Sequence, residues 1–143
     1  IEALADLRIA TSFSGSRLAA GLVFAATTDA GYRRHMEQTR RRLAQAMEMT
    51  TRALAPLGVT PWIEPRGGMF LWCALPDGLR AQDVARRALA EGVILAPGDA
   101  FSLSRSAGGF LRFNVAQCGD RRVYETLARA MAASRLNART SAS

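Results

Sequence analysis

The hydrophobic pattern of this 143-residue sequence changes abruptly at residues 56–58. Upstream, between Gly31 and Leu57, apolar residues recur at helical spacing and charged residues fall largely between them, which predicts one long amphipathic helix. Pro56 and Gly58 end that helix. Its predicted inner face consists of Tyr32, Met36, Leu43, Met47, Leu54 and Leu57. Downstream, the apolar runs are short and are separated by proline and glycine, which indicates strands.

Ahead of the long helix, residues 1–12 are expected to form a short helix or a connecting segment, and a second helix is expected from about Ser16 to residues 29–31. Downstream, we predict strands over residues 59–64, 68–75, 93–96 (buried) and 108–116, a helix over 81–91, and a last helix capped by Asp120. The inward residues of these helices are Val84, Ala85, Ala88 and Leu89, then Val123, Leu127, Ala130 and Met131. Pro97 and Gly98 suit the central positions of a type II turn.

This order of elements predicts an α/β chain of the two-layer α+β kind. Helices would cover a small, mostly antiparallel sheet of three to four strands, and the long amphipathic helix would precede that sheet. Residues after about Arg135 are expected to fray.

Residue types that are scarce or missing exclude several kinds of chemistry. All 19 basic residues are arginine, so this chain supplies no lysine amine for a Schiff base. His35 is the only histidine, and Cys73 and Cys118 lie far apart, which excludes the usual zinc spacings and gives a Ser-His-Asp site no support. We predict no metal site and no phosphate-binding glycine loop, and we expect both thiols to be reduced and buried.

No segment has the length of a membrane span. The longest apolar run, residues 18–26, falls well short of the ~20 residues that cross a bilayer. No charged segment followed by an apolar one opens the chain, as a secretory leader would. We therefore expect a cytoplasmic protein with no membrane partner. Because the chain begins Ile-Glu-Ala, we also expect it to be a fragment of a longer protein.

The stretch GGFLRFNVA, residues 108–116, places an arginine within an otherwise apolar strand. Alternation assigns Leu111, Phe113 and Val115 to the core face, and Phe110, Arg112, Asn114 and Ala116 to the other face. One interpretation is an ordinary solvated face, although Phe110 and Ala116 are unusual there. The other is that a rigid strand presents Arg112 as a binding group. Its guanidinium can form two parallel hydrogen bonds with a carboxylate, which a lysine cannot.

Three motifs occur in order: PRGGMFLWCALP (65–76), EGVILAPGDAF (91–101) and GFLRFNVA (109–116). Over residues 59–132 the chain resembles the C-terminal small domain of fold-type I, pyridoxal-phosphate-dependent aminotransferases. More weakly, LADLRIATSFSGSRLAAGLV and GYRRHMEQTRRRLA resemble the segment that joins the large domain to the small one. The three motifs are most similar to those of the aminotransferase-like domain of GntR/MocR-type transcriptional regulators, in which a winged helix-turn-helix precedes that module.

The resemblance implies a set of site residues but no catalytic residue. Arg112 matches the arginine that binds the α-carboxylate of the amino-acid substrate or effector, and Asn114 matches an asparagine that supports it. The residues implied near the rim of the pocket are Gly68, Phe70, Pro97, Gly98 and Phe101. For Phe70 and Phe101, a plain core position is the alternative interpretation.

The resemblance also implies a division of the chain. Residues 1–15 would end a large domain or form a linker, residues 16–135 would form the small domain, and residues 136–143 would be a frayed tail. Pyridoxal phosphate and its Schiff-base lysine would belong to the preceding large domain. The fragment alone would then bind no cofactor and would not catalyse transamination.

Three functions fit these observations. The first is the sensing module of a GntR/MocR-type regulator, which would bind an amino acid or other small α-amino carboxylate and form a homodimer in the parent. The second is the small domain of a genuine class I/II aminotransferase. The third is nucleic-acid binding through RRHMEQTRRR, residues 33–42. Because acidic residues are interleaved on that helix and no recognition helix is apparent, we expect no direct nucleic-acid contact by this domain.

Overall fold

A computed structural model describes residues 2–12, 15–76 and 78–140. These residues belong to two compact units, residues 1–39 and 40–143. The domain boundaries predicted at residues 15/16 and 135/136 stay predictions. Within the described ranges, no helix combines the length and the hydropathy that a membrane span requires.

Helices occupy the N-terminal part of the chain, as predicted. They are α1 (Glu2–Ser12), α2 (Arg17–Thr28) and α3 (Ala30–Leu54). Ser16 caps α2, since its hydroxyl accepts a hydrogen bond from the backbone N–H of Ala19 at 3.2 Å. This bond satisfies a donor that the first turn of a helix leaves unpaired.

The C-terminal half of α3 supplies the first part of the core. Tyr32, near the start of the helix, is exposed rather than inward. The helix is followed by a 3-10 turn, residues 55–57, and by Gly58, whose φ of 72° ends it as predicted. The predicted inner face is therefore correct for the second half of the helix. Buried or partly buried residues of this half include Leu43, Ala46, Met47, Thr50 and Leu54, and Leu57 of the 3-10 turn packs against the same cluster.

Four short strands form one antiparallel sheet. They are β1 (Thr60–Pro61), β2 (Phe70–Ala74), β3 (Ala96–Pro97) and β4 (Phe110–Asn114), in the spatial order β1-β2-β4-β3. In the register of β2 with β4, Trp72 is opposite Arg112 and Phe70 is opposite Asn114. The predicted small, mostly antiparallel sheet in a helix-rich fold is confirmed.

The predicted strand 93–96 is wrong over most of its length. Pairing with β4 begins only at Ala96. The backbone N–H of Val93 donates to the carbonyl of Ala88 at 3.0 Å, so this residue closes the end of a helix instead of pairing in the sheet. Ile94 is 85% exposed, which also contradicts the predicted burial.

The first predicted strand, 59–64, is likewise shortened to β1. Pro61 has no N–H to donate to a ladder, and proline is found at strand edges for that reason. One further backbone bond, from the N–H of Trp62 to the carbonyl of Trp72 at 2.9 Å, extends the pairing with β2.

Pro97 and Gly98 do not form the predicted type II turn. That turn needs a positive φ at its second central residue, and Gly98 is not among the described glycines with one. Gly98 instead begins a 3-10 turn, residues 98–101. A Cβ on Gly98 would collide with the carbonyl oxygen of Ala107 and lie 3.0 Å from the Cβ of Phe110. Close packing, not turn geometry, therefore requires glycine here.

Two helices complete the C-terminal unit: α4 (Ala81–Ala90) and α5 (Arg121–Thr140). They pack against each other. Leu89 was predicted to face inward but is 59% exposed, because the buried positions of α4 are Ala81, Val84 and Ala88. The positive φ of Gly92, 79°, follows the end of α4 as predicted.

The last helix begins and packs as predicted but is longer. Oδ1 of Asp120 accepts a hydrogen bond from the backbone N–H of Arg122 at 2.8 Å, which caps α5. The helix continues to Thr140, five residues past the expected end, and residues 141–143 lie outside the described ranges. The residues of α5 on the core side are Val123, Leu127, Ala130 and Met131.

One hydrophobic cluster joins α3, α4 and α5 to alternate residues of β2 and β4. Its largest fully buried side chains include Leu54, Leu71, Leu111 and Leu127. Because these residues cover one face of the central strands, the side chains between them in sequence lie on the opposite face.

A polar contact fixes the end of α4 to α5. Oε2 of Glu91 accepts hydrogen bonds from Nη2 and Nε of Arg129 at 2.6 and 3.0 Å. Hydrogen bonding from Arg129 is the largest cause that lowers the pKa of Glu91 below its ordinary value. Nη2 of Arg122 donates to the backbone carbonyl of Glu91 at 2.7 Å. Two arginines of α5 thus hold the same residue.

Candidate functional site

The alternation predicted for β4 is confirmed. Leu111 and Phe113 are buried in the core, whereas Phe110, Arg112 and Asn114 are half-buried on the other face of the sheet. β4 lies between β2 and β3, so Arg112 is mounted on a strand that has partners on both sides. Its backbone position is therefore well fixed.

Two phenyl rings contact the guanidinium of Arg112. Its Cζ lies 3.8 Å from the ring centroid of Phe101 and 4.5 Å from that of Phe70. Both distances are within the range in which a cation is attracted to the face of an aromatic ring. Phe70 is 46% exposed and Phe101 is 47% exposed, so neither is the plain core residue of the alternative interpretation.

Arg112 is not paired with an acidic residue in the described part of the chain. Within the described residues it forms no ion pair and no side-chain hydrogen bond. It lines a groove of about 720 Å³ together with Phe70, Asn114 and the segment 92–96. Asp120 and Arg122 line the same groove, but Asp120 forms no ion pair with Arg112. A half-buried cation that opens into a groove and has no ion-pair partner among the described residues is able to bind an anion from outside.

Further rings continue along the same face of the sheet, and we refer to Trp62, Phe110, Trp72 and Phe101 as the aromatic row. Trp72 stacks on Phe110 at 5.5 Å between centroids. Trp62 contacts Phe110 edge-on at 5.3 Å, and Phe101 contacts Trp72 edge-on at 6.1 Å. Neither tryptophan was predicted as a site residue from the sequence. For Trp72 the signal was strand alternation, because Trp72 is two residues from Phe70 and so shares its face.

Phe101 is held in place by its own short element. The 3-10 turn 98–101 packs closely where Gly98 meets Ala107 and Phe110. Oδ1 of Asp99 accepts a hydrogen bond from the backbone N–H of Ala107 at 3.1 Å, which closes the loop that follows. The turn that carries the Phe101 ring is thus held by the contacts of Gly98 and Asp99.

The remaining implied residues are distributed more widely. Asn114 lines the groove with Arg112, but its Oδ1 accepts a hydrogen bond from the N–H of Ala116 at 3.2 Å and so starts a 3-10 turn. Gly68, with φ 96°, lines a different groove of about 1030 Å³ beside α3. Pro97 pairs with Leu111 in β3, at the edge of the sheet. The structure therefore brings Phe70, Phe101 and Asn114 to Arg112 but does not bring Gly68 there.

Both cysteines are free and buried, as predicted. Burial, reinforced by the nearby Cys118, raises the pKa of the Cys73 thiol to about 12. Burial also raises the pKa of the Cys118 thiol. No cluster of three or more histidine, cysteine or acidic side chains that could hold a metal ion occurs within the described part of the chain.

The chain belongs to the aminotransferase class I and II family, whose model matches residues 1–131. This assignment confirms the resemblance found in the three motifs. It extends over the helices α1 to α3 as well as over the sheet and α4, and it ends within α5.

The related proteins include both enzymes and regulators. The 2-aminoadipate transaminase of Thermus thermophilus is 37% identical over 89 residues, which are 60% of this chain and 22% of that protein. YdfD of Bacillus subtilis, an uncharacterized HTH-type transcriptional regulator, is 25% identical over 118 residues, which are 81% of this chain and 24% of that protein. YdcR of Escherichia coli, also an uncharacterized HTH-type transcriptional regulator, is 35% identical over 94 residues, which are 63% of this chain and 20% of that protein.

Among solved structures, the chain is similar to LysN, an alpha-aminoadipate aminotransferase from Thermus thermophilus complexed with N-(5'-phosphopyridoxyl)-L-leucine. The TM-score is 0.78 at 28% identity, and the match covers 95% of this chain and 37% of LysN. The chain spans about a fifth to a quarter of the length of the curated relatives that it matches.

Proposed function

We propose that this chain is the small domain of the aminotransferase-like module of a GntR/MocR-type transcriptional regulator, and that Arg112 binds the α-carboxylate of an amino acid. The observation that carries the proposal is the state of Arg112. Its guanidinium is mounted on the central strand, is contacted by two rings and has no acidic partner among the described residues. It is therefore available to the carboxylate of a ligand.

A carboxylate suits this position. The guanidinium presents pairs of N–H groups that match the two oxygens of a carboxylate. The rings beside Arg112 displace water, and a charge pair is stronger where water is partly excluded. Recognition through this group selects ligands that carry a carboxylate, such as α-amino acids, over simple amines.

Pyridoxal phosphate would be bound elsewhere in the parent protein. The phosphopyridoxyl group of the LysN complex supports its presence in related full-length proteins. This chain contains no lysine, so its residues do not by themselves fit a cofactor that is held through a lysine amine. We assign to this chain only the carboxylate end of the ligand.

The wider match to a regulator favours the sensing role. The similarity to YdfD covers 81% of this chain, against 60% for the 2-aminoadipate transaminase. A regulator of this kind would act in the cytoplasm as a homodimer, with a large domain and a winged helix-turn-helix ahead of this chain. The DNA contacts would then be made by that segment and not by this domain.

The alternative is a genuine class I/II aminotransferase, in which the same face of the sheet would help to enclose the substrate. The fold match to LysN over 95% of the chain favours it. Arg112 serves both functions, so the site does not separate them. The coding sequence of the full-length protein does: a winged-helix segment ahead of a lysine-bearing large domain supports the regulator, and a large domain alone supports the enzyme.

The central test is the substitution Arg112→Lys in the full-length protein. It keeps the charge but removes the planar pair of donors, so amino-acid affinity is expected to fall by about tenfold or more. Binding is measured by calorimetry with L-leucine, L-phenylalanine and L-2-aminoadipate, and cofactor content by absorbance, which should stay nearly unchanged.

The matched control is Arg41→Lys, which makes the same chemical change at an exposed position of α3. It should leave both measurements unchanged. Unchanged amino-acid affinity in the Arg112→Lys variant would contradict the assignment of Arg112.

A further inference from the structure

The contacts of Arg112 raise the question of what Phe70 and Phe101 do. The two rings come from elements on different sides of β4: Phe70 belongs to β2, and Phe101 follows β3 in the 3-10 turn 98–101. Both rings remain nearly half exposed despite their contacts, so core packing does not explain them.

An arginine side chain on a strand has many rotamers, and its immobilisation costs conformational entropy. The two ring contacts lower that cost before a ligand arrives, because the cation is already attracted to the ring faces. Each ring also shields the part of the guanidinium that it contacts, which leaves the outer N–H edge as the approach for an anion. A carboxylate that lies in the plane of the guanidinium can use that edge.

We infer that Phe70 and Phe101 are positioning residues, which hold the guanidinium of Arg112 so that it accepts a carboxylate edge-on. The inference rests on the proposed function of Arg112. It adds that ligand affinity depends on two residues whose contact is with Arg112, and that the aromatic face, more than apolar bulk, is the property required of them.

The first experiment does not need a known ligand. The full-length protein is treated with phenylglyoxal, and the modification rate of each arginine is measured by peptide mass spectrometry. In Phe101→Leu the modification of Arg112 should be about two to five times faster than in the wild type, because a ring contact that restrains and covers the group is lost. Arg41, which is exposed on α3, serves as the internal reference and should keep its rate. An unchanged rate at Arg112 would overturn the inference.

The second experiment measures the affinity for L-leucine and for 3-methylbutylamine, the amine that lacks its carboxylate. Phe101→Leu and Phe70→Leu should each weaken L-leucine binding by about two to ten times and leave the amine unaffected. Phe101→Tyr retains the ring and should restore the wild-type affinity. Trp62→Leu removes a ring of the same sheet face whose contact is with Phe110, and it should have no effect.

The variants separate the two claims. If Arg112→Lys weakens L-leucine binding and Phe101→Leu does not, the positioning role is wrong and the proposed function stands. If Arg112→Lys also leaves L-leucine, L-phenylalanine and L-2-aminoadipate binding unchanged, the proposed function itself fails. The phenylglyoxal rates still decide whether the rings restrain Arg112.

Discussion

Cys73 is fully buried on the core face of β2, and burial raises the pKa of its thiol to about 12. Cys118 is buried as well, and its pKa is also raised. The thiolate is the reactive form of cysteine, so a raised pKa and an enclosed position both slow its reactions. At the scale of single residues, the two cysteines are therefore inert parts of the core rather than redox groups.

We expect the stability of this chain to fall above pH 9 in part because of Cys73. Its ordinary pKa of 9.0 applies to the unfolded chain, so between pH 9 and 12 the unfolded state loses a proton that the folded state keeps. The contribution of the protonated Cys73 thiol to the free energy of unfolding is intact below pH 9. Above pH 9 it decreases by no more than about 1.4 kcal/mol per pH unit. Denaturant unfolding of wild type and Cys73→Ala at several pH values measures it. If the free energy of unfolding decreased equally with pH above pH 9 in both proteins, the prediction would be contradicted.

Arg112 shows how much of the site a residue pattern can predict. Strand alternation predicted its face, because side chains alternate whatever surrounds the strand. Alternation could not predict that Phe101 reaches it, since that contact depends on a turn whose geometry was predicted wrongly. Nor could it predict that Arg112 forms no ion pair with a described residue, since this depends on acidic residues distant in sequence.

At the scale of elements, the 3-10 turn 98–101 joins the edge strand β3 to the site. Gly98 fits against Ala107 and Phe110 without room for a Cβ, and Phe101 at the other end of the turn contacts Arg112. A distortion at the first residue of this turn is therefore transmitted to the ring at its last residue.

Gly98→Ala is expected to destabilise the chain by about 1–3 kcal/mol, the usual cost of forcing an extra group into a packed region. Gly109→Ala is the matched control, because a Cβ there would meet no atom within 4 Å. The free energy of unfolding in denaturant, followed by circular dichroism, measures both. Equal values for the two variants would show that Gly98 is not closely packed.

Helices were predicted more accurately than strands, for a physical reason. A helix makes its hydrogen bonds within one segment, so α1 to α5 could be read from local periodicity and capping residues such as Ser16 and Asp120. A strand needs a partner, and β1 and β3 pair over only two residues each. Pro61 is a local reason for the short β1, whereas the extent of β3 depends on its pairing with β4, which is distant in sequence.

At the scale of the whole molecule, the net charge of +7 raises the question of nucleic-acid binding. Arg40, Arg41 and Arg42 are exposed on α3. Basic residues that neutralise phosphates would make retention on DNA fall steeply with salt. No recognition helix is apparent among the predicted elements, so we expect these arginines to form a solvent-exposed face of α3 and not a DNA-binding surface.

Replacement of Arg40, Arg41 and Arg42 with glutamine is therefore expected to leave salt-dependent DNA retention of the full-length protein unchanged. Retention on a DNA column is compared between variant and wild type over a series of salt concentrations. A loss of retention, with a slope against salt that decreases by about one for each phosphate contact removed, would instead identify α3 as a nucleic-acid interface.

The strand order β1-β2-β4-β3 has a consequence for how the molecule is made. β1 and β2 are synthesised before the other two strands and pair with each other, but β3 pairs only with β4, which is the last of these four strands to be synthesised. Until residue 114 has emerged, β2 has an open edge and β3 has no partner. Pairing across some forty residues is slow because a long loop must close first. The sheet is thus completed by the strand that carries Arg112, and this side chain is in place only when the nascent domain closes.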